Sequence, residues 1–326
     1  LLKGGTMNYY LAPMEGITRY VYRNAYAQFY GHMDKYFSPF IAPSHTHCFN
    51  TREKQDISPD NNKTIHLIPQ ILTNCAEDFI KTANALISLG YSEINLNLGC
   101  PSGTVVSKYK GSGFLAIPDE LDRFLYQIFS NLTIKISIKT RIGKEDPKEF
   151  TRLMKIYNQY PLEELIIHPR TQTDFYKNTP NWAVFGEAIS ISKHPICYNG
   201  DIFTKEDYEQ FHQTFPMITS IMFGRGIITN PALIYEIKNL PHTKQTLWKF
   251  HEQIYQNYHS TLMGEKNVLF KMKELWFYMI HLFEDSEKIG KKIKKSRKAL
   301  DYETAVFELF QNHNLVKQVD TSFLKK

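Results

Sequence analysis

Residues 93–110 read EINLNLGCPSGTVVSKYK, and the cysteine in this stretch stands where a thiol can reach something outside the fold. Ile94, Leu96 and Leu98 alternate with Asn95 and Asn97 at the two-residue period of a strand; Gly99 then frees the backbone to turn, and Pro101 prevents further pairing. Cys100 therefore sits at a strand end, on a polar loop that continues through Ser102, Gly103, Thr104, Ser107, Lys108, Lys110, Gly111 and Gly113. A cysteine is ordinarily a small buried hydrophobe. On such a loop it is instead exposed to a substrate in a way a core cysteine is not. The other groups able to do chemistry come in short clusters: Lys139-Thr140-Arg141, His168-Pro169-Arg170, Asn199-Gly200-Asp201 and Gly224-Arg225-Gly226. Guanidinium groups, and backbone amides that glycine leaves accessible, are what a phosphate needs.

These residues need elements to hold them. Short apolar runs alternate with longer amphipathic ones from Asn8 to Ile237, the rhythm of repeated βα units. Strands are expected at Tyr9–Ala12, Tyr36–Ile41, Ile65–Gln70, Glu93–Asn97, Ile134–Lys139, Glu164–His168, Pro195–Asn199 and Ile218–Phe223, with helices such as Ala76–Leu89, Asp119–Phe129, Lys148–Asn158, Asn181–Ile191 and Lys205–His212 between them. Eight strands over roughly 230 residues fit a (β/α)8 TIM barrel, usually about 250 residues long. A doubly wound open sheet is the rival, weakened because no GxGxxG follows the first strand. After Ile237 the strand signals stop. Lys244–Leu262, Asn267–His281 and Tyr302–Phe310 carry Trp248, Tyr255, Leu269, Trp276, Phe277 and Ile280 at helical spacing, read as the core of a small all-helical domain. The expected division is an appended remnant at 1–6, a catalytic barrel at 7–240 and a helical domain at 241–326.

A barrel places its chemistry at the C-terminal ends of its strands. Ala12-Pro13-Met14-Glu15-Gly16 follows the first strand, Gln70 ends the third, and Cys100 and the four clusters follow later ones. Loops seven and eight, with Asn199-Gly200-Asp201 and Gly224-Arg225-Gly226, suit a phosphate. A lysine at the end of strand five is costly unless it faces an anion. Lys139 suits the N1 and C2 carbonyl edge of a reduced flavin, and Gln70 offers a donor and an acceptor to its other polar edge. The constellation suggests flavin mononucleotide (FMN) across the barrel mouth; a sugar phosphate would use the same parts.

The whole chain bounds these readings. It has 326 residues, 42% hydrophobic and 22% charged, as in a soluble globular protein able to bury a large core. Cys48, Cys75, Cys100 and Cys197 are scattered, with no pair at metal-ligand spacing, so reduced thiols, a cytoplasmic setting and no metal are expected. Neither a membrane span nor a signal peptide is expected. The region from Pro241 onward holds 15 Lys and Arg against 10 Asp and Glu, so +5 of the net +6 lies there. Residues 288–298 read KIGKKIKKSRK, with Ile289, Ile293 and Leu300 on one side if helical, and Lys291, Lys292, Lys294, Lys295 and Arg297 available to phosphates. Such a run is often only a solvated surface; beside this barrel it points to RNA.

Taken together, APMEG at Ala12–Gly16, NLGCP at Asn97–Pro101, KTR at Lys139–Arg141, HPR at His168–Arg170, NGD at Asn199–Asp201 and GRG at Gly224–Gly226 resemble the tRNA-dihydrouridine synthases, in order along the whole barrel. The resemblance implies an FMN barrel with a C-terminal helical domain that reduces the 5,6 double bond of particular uridines in tRNA, with NADPH as electron donor. It implies that Pro13, Met14 and Glu15 line the flavin, and that Gln70 and Lys139 bind its ring. Asn199, Gly200, Asp201, Gly224 and Arg225 would surround its phosphate, with His168 nearby. Cys100 would be the catalytic acid, protonating C5 after hydride reaches C6 of a base flipped out of the stack; a thiol titrating near about 8.5 is protonated at neutral pH. Asn97, Arg141 and Arg170 would hold the base or its phosphate. A monomer is expected. Glu15 departs from the Asp or Ala expected in relatives, and Cys48, Cys75 and Cys197 match no motif, Cys197 reading as a packed strand residue. Two other readings stay open: a flavin barrel acting on a small molecule, similar to dihydroorotate dehydrogenase or the ene-reductases, and a barrel that binds RNA without catalysis.

Overall fold

The computed structural model describes residues 7–325, so the expected remnant at 1–6 lies outside the described residues. Nine parallel strand segments form the sheet: β1 (Asn8–Leu11), β2 (Lys35–Phe37), β3 (Leu67–Ile68), β4 (Gln70–Ile71), β5 (Glu93–Leu98), β6 (Lys135–Arg141), β7 (Leu165–His168), β8 (Ile196–Tyr198) and β9 (Ser220–Phe223). Their order is β3-β2-β1-β9-β8-β7-β6-β5-β4, and its two ends are consecutive in sequence. Only Pro69 separates them. The third expected strand is thus two: proline has no N–H to give the ladder, so the strand breaks there, β3 pairing with β2 and β4 with β5. The Pro69 carbonyl still accepts from Asn95 N (2.9 Å), and an Ile41–Ile71 bridge ties the seam from the other side. A closed TIM barrel results.

The two-residue period sorts the side chains. Leu11, Ile94, Leu96, Ile138, Leu165, Ile167 and Ile221 point out and join the helices in one large apolar cluster. Tyr10, Ala12, Phe37, Ile68, Ile166, Cys197 and Met222 form a separate cluster inside the barrel, and Cys197 is a packed strand residue. The surrounding helices include Tyr20–Phe29, Ala76–Ser88, Pro118–Asn131, Glu149–Tyr157, Trp182–Ile191 and Lys205–Thr214. Capping sets where several begin. Thr204 accepts from Asp207 N while the Asp207 carboxylate takes the Thr204 N–H, leaving few orphan donors at that end.

Beyond the barrel lie four helices, Lys244–Thr261, Glu265–Met279, Glu287–Lys295 and Ala299–Asn312. Phe250 on the first packs edge-on against Tyr22, Tyr26 and Tyr30 of the barrel helix Tyr20–Phe29, so the apolar cluster runs without a gap from barrel to helices. At the bundle's centre the buried Tyr302 hydroxyl meets His251 Nε2 and Trp276 Nε1, each at 2.7 Å. Two expectations for this region need correction. Phe277 is 61% exposed rather than in the bundle core, and Leu300 is 71% exposed. Leu300 does not share a face with Ile289 and Ile293 because the basic helix ends at Lys295 and a new one starts at Ala299. No helix among the described residues is long and apolar enough to cross a membrane.

Candidate active site

Strands β4 to β6 carry a ladder of amides inside the barrel. Gln70 Nε2 donates to Asn95 Oδ1 (2.7 Å), Asn95 Nδ2 to Ser137 Oγ (3.0 Å), and Asn97 Nδ2 to Gln70 Oε1 (2.7 Å). Buried amides must find partners, and adjacent parallel strands offer them in register. The top member also shapes the loop above. Asn97 Oδ1 accepts from Gly99 N (3.0 Å) and Cys100 N (2.9 Å), while the Cys100 carbonyl accepts from Ser112 N and Ser112 Oγ. Gly111 is where the returning chain crosses closest: its φ is +56°, and a Cβ there would lie 2.9 Å from the Cys100 carbonyl oxygen. Cys100 is half-buried, and burial pushes its thiol above the usual range, against the opposing pull of the Ser102 backbone, Arg141 and Lys139. At neutral pH it holds its proton.

Cations dominate the rest of the mouth. One pocket is lined by Pro13 and Met14 after β1, Gly99 after β5, Lys139 and Arg141 on β6, His168 on β7, Asn199, Gly200 and Asp201 after β8, and Gly224 and Arg225 after β9. Lys139 Nζ has no hydrogen bond or ion pair to any described residue, and burial, with Arg141 beside it, pulls its ammonium down to about 8. Arg141 donates Nε to Gly99 O (3.0 Å) and Nη1 to Thr171 O (2.7 Å). Asp201 serves two arginines at once: Arg170 by a fork at 2.9 and 2.5 Å, and Arg225 Nη2 at 2.8 Å. Arg225 also donates to the Leu324 carbonyl near the end of the described chain. His168 is held well below the usual range, first by burial and then by Arg141, Lys139, Arg170 and Arg225. Its ring is neutral; Nε2 accepts from Arg170 Nη1 (3.2 Å), which leaves the proton on Nδ1. Among the described residues that line the pocket, one carboxylate, Asp201, stands against Lys139, Arg141 and Arg225, which leaves the pocket short of negative charge.

A family model described as dihydrouridine synthase (Dus) matches residues 10–315. The chain belongs to the dihydrouridine synthase family. Among curated proteins, the probable tRNA-dihydrouridine synthase of Staphylococcus epidermidis is 28% identical over 261 residues, covering 76% of this chain and 78% of that one. The tRNA-dihydrouridine(16) synthase of Neisseria meningitidis serogroup B is 29% identical over 239 residues, 70% of each chain. Among solved structures, TcOYE with pHBA superposes with a TM-score of 0.53 at 10% identity, over 81% of this chain and 99% of that one. The old yellow enzyme homologue from Zymomonas mobilis gives 0.50 at 12% identity, over 74% and 92%. Both structural likenesses are of fold.

Of the residues that the dihydrouridine synthase resemblance singles out, Pro13, Met14, Lys139, Arg141, His168, Asn199, Gly200, Asp201, Gly224 and Arg225 meet around the one pocket. Five do not line it. Asn97, near the end of β5, and Cys100, on the turn above it, flank the lining residue Gly99. Gln70 is fully buried below the pocket with both amide atoms held by Asn95 and Asn97. Glu15 turns outward to Arg52 Nη2 (3.1 Å). Arg170 is buried, its guanidinium engaged by Asp201, His168 and the Asn178 carbonyl (Nε, 2.5 Å), so it braces the site from behind. Tyr176 and Phe203 also line the pocket and were not singled out from the sequence. The Tyr176 ring lies 4.3 Å from the Arg225 guanidinium carbon and 5.4 Å from that of Arg141. Both come from irregular segments, where no periodicity marks a residue as inward. The basic helix Glu287–Lys295 buries Ile289 and Ile293 and exposes Lys291, Lys292, Lys294 and Lys295; Arg297 just beyond it is exposed too. Lys292 is paired with Glu308 (2.9 Å). Helix Glu265–Met279 packs between this helix and the mouth, where Lys271 Nζ reaches Gly16 O (3.0 Å).

Proposed function

We propose that this protein reduces the C5–C6 double bond of specific uridines in tRNA to 5,6-dihydrouridine, with FMN held at the barrel mouth and NADPH as the source of electrons. The carrying observation is an under-neutralised cationic pocket, with Lys139 unpaired among the described residues, beside a protonated thiol on the same rim. That donor set fits the flavin. Arg225 and the backbone around Gly200 and Gly224 suit its phosphate, the His168 Nδ1 proton can be given to a ligand oxygen, and Lys139 suits the ring edge that becomes anionic on reduction. When bound, the reduced flavin supplies the hydride for uracil C6.

The chain's own groups supply the rest. Cys100 carries the proton destined for C5, and its half-buried setting keeps that proton in place until negative charge develops across C5 and the C4 carbonyl. Asn97 and Ser112 fix the backbone on both sides of Cys100, so the thiol approaches the base from a set direction. Arg141 holds the Gly99 carbonyl and keeps the turn from drifting. A uridine reaches this mouth only when turned out of the tRNA stack. The barrel, residues 7–240, would carry the chemistry, and the helical residues 241–326 would receive the RNA on the Lys291, Lys294, Lys295 and Arg297 face.

Purified protein should be yellow and release FMN on denaturation. Incubated with NADPH and tRNA lacking the modification, it should produce dihydrouridine detectable in nucleoside digests. Colourless protein that takes up no added FMN, or flavin-loaded protein that leaves such tRNA unchanged while reducing a free enone, would overturn the reading.

A further inference from the structure

Away from the pocket, three metal-ligating side chains converge on the rim of the mouth. His45 lies on the segment after β2, Cys75 on the segment after β4, and Asp78 in the first turn of helix Ala76–Ser88; one donor atom from each lies within 4.8 Å of the other two. His45 Nδ1 is 3.2 Å from Asp78 Oδ1. Asp78 is buried, so packing fixes one donor, while His45 is exposed and free to settle. The Cys75 sulfur is a free thiol with no hydrogen bond to any described residue. We propose that His45, Cys75 and Asp78 form a zinc site, with water in the fourth position.

The donor set argues for the metal. One imidazole, one thiolate and one carboxylate suit zinc, whereas calcium and magnesium take all-oxygen shells and copper(I) prefers sulfur. A thiolate with a carboxylate also cancels the ion's double charge. Bonds of about 2.0–2.3 Å to a tetrahedral zinc separate its ligand atoms by about 3.5 Å; His45 and Asp78 already stand at that spacing, and the separations from Cys75, at most 4.8 Å, need to close by about 1 Å, within reach of small side-chain rotations. Lys81 Nζ already fastens the His45 carbonyl to the same helix (3.2 Å), which holds the two segments in place before any ion arrives. His47 takes no part: neither of its ring nitrogens falls within the cluster, and its Nδ1 is turned to Ser44 and Thr46. Asn74, next to Cys75, donates Nδ2 to Lys108 O (3.1 Å), so the ion would also steady the loop that follows Cys100. Sequence spacing could not reveal the site, because its ligands come from a loop and a distant helix start and only one is a cysteine.

The test is a zinc titration of the full chain, stripped with a chelator, in competition with a chromophoric chelator, with bound metal counted by atomic emission. One zinc per chain is expected. His45→Ala and Cys75→Ser should each weaken binding by at least about tenfold, while His47→Ala and Cys48→Ser leave it unchanged. With cobalt, a thiolate charge-transfer band should appear and vanish in Cys75→Ser. Less than one equivalent of zinc, or undiminished affinity in His45→Ala, whose exposed position leaves the fold intact, would reduce the cluster to an adventitious ion only. Equal losses in Cys48→Ser and Cys75→Ser would overturn the ligand assignment.

Discussion

At the floor of the barrel Lys35 Nζ is held by both oxygens of Glu93 (2.8 and 3.0 Å) and the Tyr10 hydroxyl bonds Glu164 (3.1 Å) and Ser220 (3.3 Å), whereas at the mouth Lys139 has no partner among the described residues and one aspartate serves two arginines. The same strands contribute to both ends. β5 starts at Glu93 and ends below Cys100; β6 ends at Lys139 and Arg141, and β7 at His168. What differs is the bookkeeping of charge: cations at the floor are neutralised within the fold, and cations at the mouth are left for something else to neutralise. In a barrel the first arrangement serves stability and the second serves a ligand. Glu164 is the exception at the floor. Its Oε2 is buried without a partner, and burial, only partly opposed by Lys35, pushes its carboxyl up to about 7.

The contrast can be broken at either end. The largest effect is expected from Cys100→Ala, which should lower the rate of dihydrouridine formation by roughly 10²–10⁴-fold. Flavin content and tRNA affinity should be retained; full turnover would remove the acid role. Next is Glu164. Its folded titration lies above the ordinary 4.5, so the stability it contributes is complete below that value and is lost as pH rises to about 7, then stays level. The loss is on the order of 2–3 kcal/mol, and Glu164→Gln should abolish this dependence without changing turnover. Denaturant midpoints from pH 5 to 8 measure it, and parallel curves for the two proteins would show the floor to be as well matched as its neighbours.

Lys139 tests the other end. Its ammonium titrates at about 8, so FMN affinity should be level below that pH and fall above it. Lys139→Met should lower affinity and flatten the profile, and should also stabilise the flavin-free protein by about 1 kcal/mol, because a cation without a partner is gone. A destabilised Lys139→Met would mean that the lysine is matched after all. Smallest is the basic helix. Replacing Lys291, Lys294 and Lys295 with Ala should weaken tRNA binding severalfold and reduce the salt dependence by up to about one unit of slope per lost phosphate contact. An unchanged slope would return that face to plain solvation.

Much of this was legible beforehand, for a physical reason. Alternation in residues 93–98 fixes which side chains face in, and parallel strands deliver every C-terminal end to one rim, so clusters distant in sequence had to meet. What stayed hidden depends on partners that no period announces. Gln70 offered two polar atoms to a ligand, but Asn95 and Asn97, on the neighbouring strand, claim both. Arg170 finds Asp201 across 31 residues, and Glu15 turns to Arg52 on a helix that the apolar rhythm does not mark. Proline at 69 was visible, yet a proline mid-strand can end a sheet or merely notch it, and only the pairing on both sides distinguishes these. Leu300 was assigned by helical spacing across a break that Ser296–Lys298 introduces.

Asn97 is both the top rung inside the barrel and the bracket under the cysteine turn. A conservative change at Gln70 or Asn95, deep in the interior and remote from any RNA, would therefore register first as a sulfur aimed slightly wrong. Interior packing and reaction geometry share one asparagine, and a gain in one that shifts its amide is subtracted from the other.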